Sequence, residues 1–230
     1  MKIAGLQPLS LLDFPGRVAA IVFTQGCPFR CVYCHNPELL PTQGASETET
    51  EDVLEKIGER RLFLDGIVVT GGEPTVHPDL PEFLSEIKSM GLETKLDTNG
   101  VHPRMIERLV QEGLVDFFAM DLKHIWDRYA EIIGPAANAA TKNCIETMEI
   151  IRASGIPHEF RTTVYPHLHS AEDLMCIASR LGAGDRYALQ EMRYEKTLQP
   201  ELPYAAALDL HAIAERIRVA QPGLQVEVRA

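Results

Sequence analysis

One stretch of the chain combines an apolar run with a tight group of cysteines. Residues 18–34 read VAAIVFTQGCPFRCVYC. A short apolar run of this kind, ending at Thr24 and bounded by Gly26, is typical of a buried strand. Cys27, Cys31 and Cys34 follow directly after the run. The stretch therefore predicts a strand that delivers three thiol groups into the loop behind it.

Short apolar runs recur along the chain, with helical patterns between them. The predicted strands cover residues 18–24, 66–70, 93–98, 116–122, 158–165 and 186–192, and a short final strand is expected over 225–228. A last helix is expected over 205–220. Strands that alternate with helices indicate an α/β fold with a parallel sheet. About six βα units are too few for a complete eight-unit barrel, which leaves an open, partial barrel or a doubly wound sheet.

Length and charge narrow the class of protein. A chain of 230 residues suits one domain over 1–230. The formal net charge of −11 argues against a protein that grips nucleic acid phosphates. No apolar run reaches the roughly 18 residues that a membrane span needs. We therefore expect a cytoplasmic protein whose partners are neither nucleic acid nor membrane.

The spacing Cys27-x3-Cys31-x2-Cys34 points to a metal centre within one loop. We place this cluster loop at about residues 26–45, because the segment has no clear periodicity. Three thiolates are one ligand short of a structural zinc site or of a fully ligated iron–sulfur cluster. The incomplete set would leave one metal position open for a substrate or cofactor.

Other side chains are alternatives for a fourth ligand. His35 is badly placed to reach the same metal as its neighbour Cys34. Cys144 or Cys176 would complete a zinc site, but both lie on apolar faces of predicted helices and are expected to be ordinary buried thiols. An odd number of cysteines, three of them clustered, does not suit a disulfide framework.

Three polar motifs follow predicted strands at their carboxyl ends. They are Gly71-Gly72-Glu73-Pro74, Asp97-Thr98-Asn99-Gly100 and Asp121-Leu122-Lys123. Gly-Gly, Glu-Pro and Asn-Gly are also common turn elements, so each motif alone suits a plain turn. Ligands of α/β sheets and barrels gather at this edge, however, and the cysteines are expected there too. The coincidence of these motifs favours a binding site.

Residues later in the chain have more than one interpretation. Arg161, on the fifth predicted strand, suits either an internal salt bridge or contact with a ligand carboxylate. Val164 lies near the end of that strand, and His169 is expected on a surface loop beyond it. Trp126 and Tyr129 follow Lys123, and packing is sufficient to explain them.

The cysteine motif resembles that of a known family. Cys27-Pro-Phe-Arg-Cys31-Val-Tyr33-Cys34 is similar to the CxxxCxφC signature of the radical S-adenosylmethionine (SAM) superfamily, with Tyr33 in the aromatic position. The later motifs match in order and spacing, so the resemblance spans nearly the whole chain. Residues 11–16, 23–28 and 34–39 resemble the activating enzymes of glycyl radical enzymes, and most of all the branch that activates anaerobic ribonucleoside-triphosphate reductase. The resemblance implies a partial (β/α)6 TIM-like barrel of the radical SAM type.

The resemblance also implies the cofactors and their ligands. Cys27, Cys31 and Cys34 would hold a [4Fe–4S] cluster whose open iron binds SAM. The GGEP motif would receive the SAM amino group, and Lys123 would lie near the substrate peptide and the cofactor. A monovalent cation would lie beside the SAM carboxylate, near Asp97, Thr98 and Asp121. The implied cofactor contacts are Tyr33, His35, Asn36, Gly71, Gly72, Glu73, Pro74, Asp97, Thr98, Asn99, Asp121, Arg161 and Val164.

The implied function is that of a radical SAM activase. Reductive cleavage of SAM gives a 5′-deoxyadenosyl radical, which removes a hydrogen atom from one glycine of a partner enzyme, here anaerobic ribonucleotide reductase. A flavodoxin- or ferredoxin-type donor would supply the electron. Two alternatives stay open: a small-molecule radical SAM enzyme of the 7-carboxy-7-deazaguanine synthase type, and a non-enzymatic zinc-binding module.

Overall fold

The computed structural model describes residues 1–42, 48–134, 137–195, 197–199 and 201–229, without the side chains of residues 137–139. Residues 43–45, at the end of the expected cluster loop, lie outside the described residues. The chain divides into two compact units. The first unit comprises Met1–Pro28, Glu38–Ala119 and Asn143–Pro157, and the second comprises Phe29–Pro37, Met120–Lys142 and His158–Ala230.

The strands follow chain order in one eight-stranded sheet. They are β1 (Ile3–Ser10), β2 (Ala19–Thr24), β3 (Gly66–Gly71), β4 (Glu93–Thr98), β5 (Phe117–Asp121), β6 (His158–Val164), β7 (Arg186–Glu191) and β8 (Gln225–Arg229). Every strand from β2 to β8 matches a predicted strand to within one residue at each end. Each strand from β2 to β7 is followed by at least one helix, so the expected six βα units are confirmed.

The sequence pattern did not predict strand β1, which pairs antiparallel with β2. Its register with β2 shifts between Ile3 and Gly5 and again between Gln7 and Ser10. Pro8 lies inside the second irregular stretch, and proline is tolerated in strands mainly at sheet edges or bulges. These irregularities, with an exposed Leu9, remove the alternation by which a strand is recognised in sequence.

Seven α-helices are described. They are α1 (Thr50–Arg60), α2 (Leu80–Ser89), α3 (Pro103–Gln111), α4 (Tyr129–Ile133), α5 (Ala137–Ser154), α6 (Ala171–Ala178) and α7 (Leu210–Ala220). The expectation that the last helix begins at residue 205 is wrong. Its first turn is fixed later, because the side chain of Asp209 accepts a hydrogen bond from the Ala212 backbone N–H at 2.9 Å. In the described part of the chain, no helix combines the length and apolarity that crossing a bilayer requires.

An apolar cluster in the first unit lies below the strand ends that carry the motifs. Phe14, Ala19, Ile21, Val68 and Phe117 form this cluster, and Phe23 packs against it. Strands β2 and β3 are parallel with Ile21 opposite Val68, so these two side chains share one face of the sheet. Burial of this face anchors the strands whose carboxyl ends carry the polar motifs.

The second unit contains the parallel strands β6, β7 and β8. Thr162 on β6 lies opposite Leu189, and the buried hydroxyl of Tyr187 donates to the Thr162 hydroxyl at 2.8 Å. The Thr162 hydroxyl in turn donates to the Leu122 carbonyl at 2.8 Å. This chain of polar contacts fixes Leu122, which lies between the predicted site residues Asp121 and Lys123.

Candidate active site

The Gly71-Gly72 turn at the end of β3 lies against the backbone that precedes the first cysteine. Gly71 has a φ of +111°, and a Cβ atom there would lie 2.5 Å from the Thr24 nitrogen. At Gly72 a Cβ atom would lie 2.3 Å from the Gly26 carbonyl oxygen. The Glu73 N–H donates to that same carbonyl at 2.8 Å. Both glycines are therefore needed for this close approach, which a plain surface turn would not demand.

The carboxylate of Glu73 ties the GGEP turn to the DTNG turn. One oxygen accepts from the Thr75 N–H at 3.1 Å, from the Thr75 hydroxyl at 2.5 Å and from the Thr98 hydroxyl at 2.8 Å. The other accepts from the Asn99 N–H at 2.6 Å. Burial raises the pKa of Glu73, although these donors oppose the rise. The side chain thus fixes two turns together, a role that its sequence position did not reveal.

Asn99 connects the DTNG turn to the first cysteine. Its Oδ1 atom accepts from the Val101 N–H at 3.0 Å, which leaves its Nδ2 group facing the Cys27 sulfur at 3.6 Å. The Asn99 carbonyl accepts from the Cys144 thiol at 3.2 Å. Cys144 is buried, as expected, and it supports the turn from behind.

A lysine that sequence reasoning passed over pairs with the strand-end aspartate of the first unit. Nζ of Lys95 lies 2.5 Å from Oδ1 of Asp97, and the Lys95 side chain is 2% exposed. The signal was present in the sequence, since residues two apart in a strand share a face. The Thr70 hydroxyl approaches the other Asp97 oxygen at 3.4 Å.

Cys31 and Cys34 lie in one turn of the second unit. The Cys34 N–H donates to the Cys31 carbonyl at 2.9 Å, and the Val32 N–H donates to the Ile132 carbonyl of α4 at 3.1 Å. Burial raises the pKa of the Cys31 thiol to about 11, against the opposing charge of Lys123. A metal ion that binds this sulfur must therefore displace its proton.

All five cysteines belong to the described residues, and none of them forms a disulfide. Cys176 is exposed, so its expected place among buried thiols is wrong. Cys176 lies on the exposed side of helix α6, whose buried residues are Asp173, Leu174, Ile177 and Ala178.

Asp121, Lys123 and Arg161 form an ion-pair group in the second unit. Lys123 Nζ lies 2.8 Å from one Asp121 oxygen, and Arg161 Nε lies 2.9 Å from the other. Burial would raise the pKa of Asp121, but the charges of Arg161 and Lys123 hold it well below its usual range. Burial would lower the pKa of Lys123, but the Asp121 charge outweighs burial and raises it. Arg161 forms the internal salt bridge that was one of its two interpretations.

Two aromatic side chains hold the Lys123 backbone in place. The Tyr129 hydroxyl accepts from the Lys123 N–H at 3.1 Å, and His169 Nε2 donates to the Lys123 carbonyl at 2.9 Å. His169 Nδ1 accepts from the Tyr165 N–H at 3.0 Å. His169 is buried, so its expected surface position is wrong, and Tyr129 does more than pack.

Four further residues of the second unit were predicted as cofactor contacts: Tyr33, His35, Asn36 and Val164. Tyr33 is buried, and its hydroxyl has no hydrogen-bond partner among the described residues. His35 Nε2 donates to the Arg193 carbonyl at 2.9 Å, while Asn36 is half-buried. Val164 lines a cavity of about 220 Å³ with Met192, Tyr194, Tyr204 and Leu208 among its other walls.

The side chains of the candidate site suit an iron–sulfur cluster better than they suit the expected monovalent cation. Thiolates are the ligands of iron–sulfur clusters, and the buried Tyr33 hydroxyl, which has no hydrogen-bond partner in the part of the chain that the structure describes, could bond to a cofactor. No group of three or more His, Cys, Asp or Glu side chains within the described ranges is arranged as a metal site. The cation site does not fit, because Lys95 already pairs with Asp97 and because Lys123 and Arg161 pair with Asp121.

Comparisons with known proteins identify the family. Residues 21–175 match the family model for the radical SAM superfamily. A Methanocaldococcus jannaschii protein, provisionally named a glycyl-radical enzyme activating enzyme, is 34% identical over 192 residues, which are 82% of this chain and 79% of that protein. The pyruvate formate-lyase-activating enzyme of Clostridium pasteurianum is 28% identical over 177 residues, 75% of this chain and 72% of the relative.

Solved structures show the same fold. Streptococcus suis SuiB superposes with a TM-score of 0.69 at 15% identity, over 91% of this chain and 48% of SuiB, so this chain spans about half of SuiB. Its complex with SAM gives a TM-score of 0.68. The likeness confirms the expected fold of the radical SAM type.

The chain belongs to the radical SAM superfamily, whose members use a [4Fe–4S] cluster and SAM. Its relatives place it among the glycyl-radical enzyme activating enzymes, so it is an enzyme of that class. Membership of an enzyme family excludes the alternative of a non-enzymatic zinc-binding module.

Proposed function

We propose that this enzyme generates a glycyl radical on anaerobic ribonucleoside-triphosphate reductase. The observation that carries the proposal is the segment around the cysteines, residues 11–16, 23–28 and 34–39, which is similar to that branch of activating enzymes. The relatives with activating-enzyme names support the same class of reaction. A flavodoxin- or ferredoxin-type donor is proposed to supply the electron, and the enzyme is proposed to act in the cytoplasm as a single radical SAM domain over 1–230.

Cys27, Cys31 and Cys34 are proposed as the three protein ligands of the cluster. The cluster with SAM supplies one-electron reductive cleavage, which yields methionine and a 5′-deoxyadenosyl radical. The Asn99 amide that faces the Cys27 sulfur supports this role, because hydrogen bonds to the ligand sulfurs help to set the reduction potential of a cluster. On this proposal His35 is not a ligand of the cluster, because its Nε2 atom donates to the Arg193 carbonyl.

The strand-end motifs are proposed to hold SAM. The Glu73 carboxylate already accepts four internal donors, so we assign the amino group to the backbone carbonyls of Gly71 and Gly72. The remaining contacts are assigned to Tyr33, His35, Asn36, Pro74, Asp97, Thr98, Asn99, Asp121, Arg161 and Val164. In this arrangement Glu73 acts by positioning the two turns.

Lys123 is proposed to face the glycine-bearing peptide. Its ammonium group is held by Asp121, and its backbone is held by Tyr129 and His169. A charged side chain that is fixed at both ends can orient a peptide carbonyl without rearranging. Because Asp121 is shared with Arg161, the position of the ammonium group depends on the whole ion-pair group.

The first experiment tests SAM cleavage. Protein is purified without dioxygen, reconstituted with iron and sulfide, reduced and given SAM, and 5′-deoxyadenosine is quantified. Wild type and the control Cys176→Ala, which removes an exposed thiol on α6, are expected to form the product. Cys31→Ala is expected to form none and to lose the iron–sulfur absorbance. Equal product from Cys31→Ala would refute the ligand assignment.

The second experiment tests the partner. Purified anaerobic ribonucleotide reductase and pyruvate formate-lyase are incubated separately with the reduced enzyme and SAM, and glycyl radicals are counted by EPR. A glycyl signal on the reductase alone is the expected result. A signal on pyruvate formate-lyase alone would contradict the proposed partner while leaving the class of enzyme unchanged.

A further inference from the structure

A buried ammonium group neutralises the carboxylate beside which a monovalent cation was expected. Lys95 Nζ lies 2.5 Å from Asp97 Oδ1, and the two side chains are 2% and 14% exposed. We propose that the Lys95 ammonium group is the fixed cation of this site, so that SAM binding and cleavage require no added monovalent cation. The inference rests on the proposed function, in which Asp97 is a SAM contact, with the SAM carboxylate near Asp97 as the family resemblance implies.

The position of Lys95 in β4 explains how its charge reaches the strand end. Lys95 and Asp97 are two residues apart and therefore lie on one face of the strand. Lys95 is opposite Val68 of β3, a member of the apolar cluster, and the Phe117 ring centroid lies 6.0 Å from Nζ. The buried Lys95 side chain thus lies beside apolar residues, while its ammonium group meets the carboxylate. A cation held in this way cannot exchange with solvent.

The other oxygen atoms at this strand end also have protein partners. The Thr98 hydroxyl donates to Glu73 at 2.8 Å and accepts from the Gly100 N–H at 3.0 Å. The second Asp97 oxygen is approached by the Thr70 hydroxyl at 3.4 Å. A sodium or potassium ion at Asp97 would have to displace the Lys95 ammonium group and would lie against a like charge. Lys95 therefore disfavours an exchangeable cation here.

A lysine side chain can also do what the cation would do for a ligand. Its ammonium group is a compact point charge with three N–H donors, and Asp97 accepts from Nζ within hydrogen-bond distance. The remaining donors can meet a ligand carboxylate, which is the group of SAM proposed to lie here. The same charge then serves the fold and the ligand.

The test compares potassium, sodium and choline chloride at equal ionic strength. Wild type, Lys95→Met and Lys95→Gln are exchanged into choline buffer and titrated with each salt. Two quantities are measured: the Tm of the protein without SAM, and the rate of 5′-deoxyadenosine formation by the reconstituted enzyme. Lys88→Met is the matched control, because Lys88 pairs with Asp116 at 2.6 Å elsewhere in the first unit.

Wild type is expected to show the same Tm and rate in all three salts. In choline, the rate of 5′-deoxyadenosine formation by Lys95→Met should be at least about tenfold lower than that of wild type. Potassium or sodium should restore it. The same ions should raise the Tm of Lys95→Met selectively, and they should not do so for Lys88→Met. A potassium-dependent Tm or rate in wild type would overturn the proposal, as would a Lys95→Met enzyme that is indifferent to the salt.

The two measurements separate this inference from the proposed function. If no variant formed 5′-deoxyadenosine in any buffer, the proposed SAM chemistry would fail. The Tm arm would still decide whether Lys95 excludes an exchangeable cation from Asp97, since that measurement uses neither SAM nor the reduced cluster.

Discussion

Arg161 Nε lies 2.9 Å from Oδ1 of Asp121, while Lys123 occupies the other oxygen of the same carboxylate. One anion thus serves two cations, whose side chains are only 14% and 12% exposed. Removing the anion would leave both positive charges partly buried and facing each other. Such breakage of a buried pair is costly, since the desolvated partner charge remains.

Asp121→Asn should therefore lower the free energy of unfolding by roughly 3 kcal/mol at neutral pH, at the low end for a buried pair. The folded-state pKa of Asp121 is depressed, so its stabilisation is present above the unfolded pKa of about 4 and is lost as pH falls below that value. Urea unfolding at pH 7 and near pH 3 measures both points. Glu82→Gln, which removes an exposed partner of Arg108, should cost far less, because solvent screens this pair. Equal losses in the two variants would contradict the shared-anion arrangement.

Gly72→Ala should destabilise the protein by at least about 3 kcal/mol, the top of the range for overpacking. The new methyl group would meet the Gly26 carbonyl oxygen at 2.3 Å and the Leu39 carbonyl oxygen at 3.0 Å, and both are backbone atoms. Gly58→Ala in α1 is the matched control, since a Cβ atom there meets nothing within 4 Å. That control should gain up to about 1 kcal/mol of helix propensity. Thermal unfolding of both variants gives the comparison, and a tolerated Gly72→Ala would show that the turn is looser than described.

The sequence predicted most strands because they are short, buried apolar runs; β2, β3 and β5 each contain four consecutive buried residues. On β4, Thr94, Lys95 and Leu96 are consecutive buried residues, and the bounds of this strand were predicted without error. Strand β1 was missed because Gly5, Pro8 and two register shifts interrupt it, so that it forms neither a buried run nor an alternating pattern. The pattern of apolar residues therefore predicts a strand well only where the strand is an uninterrupted apolar run or alternates regularly.

Contacts between distant residues account for what sequence reasoning missed at the candidate site. Glu73 was recognised as part of a motif, but its bonds to Thr98 and Asn99 span more than twenty positions along the chain. His169 was expected at the surface because its neighbours are loop residues, yet it binds the Lys123 carbonyl, 46 positions away. Lys95 is different: its pairing with Asp97 is local, and strand alternation alone would have indicated it.

Tyr33→Phe should stabilise the protein when the cluster and SAM are absent. The Tyr33 hydroxyl is buried without a partner among the described residues, and such a group costs about 1–3 kcal/mol. Tyr187→Phe is the matched control in the same unit, because its buried hydroxyl donates to Thr162 at 2.8 Å. The control should lose about 1 kcal/mol, the net value of a buried hydrogen bond. Anaerobic urea unfolding distinguishes the two signs, and a loss in both variants would mean that Tyr33 has a partner.

His169 should make the protein less stable as the pH falls below neutrality. Burial lowers the pKa of His169 to about 4, although its hydrogen bond to the Lys123 carbonyl opposes the change. An unfolded histidine titrates near pH 6.5, so between about pH 6.5 and 4 the unfolded chain binds the extra proton. Stability is then full above about pH 6.5 and falls by up to roughly 1.4 kcal/mol per pH unit below it.

The comparison of His169→Gln with wild type isolates this contribution from those of the other buried histidines. The variant should be less stable at pH 7, because it disturbs the bonds to Lys123 and Tyr165, but its free energy of unfolding should fall less steeply from pH 6.5 to pH 5. His211→Gln, which changes an exposed residue of α7, should keep the wild-type slope. If His169→Gln kept that slope as well, protonation of His169 would not be the cause. A reduced slope would mean that protonation of His169 at Nδ1, which removes the hydrogen bond from the Tyr165 N–H, destabilises the imidazole that also holds the Lys123 carbonyl.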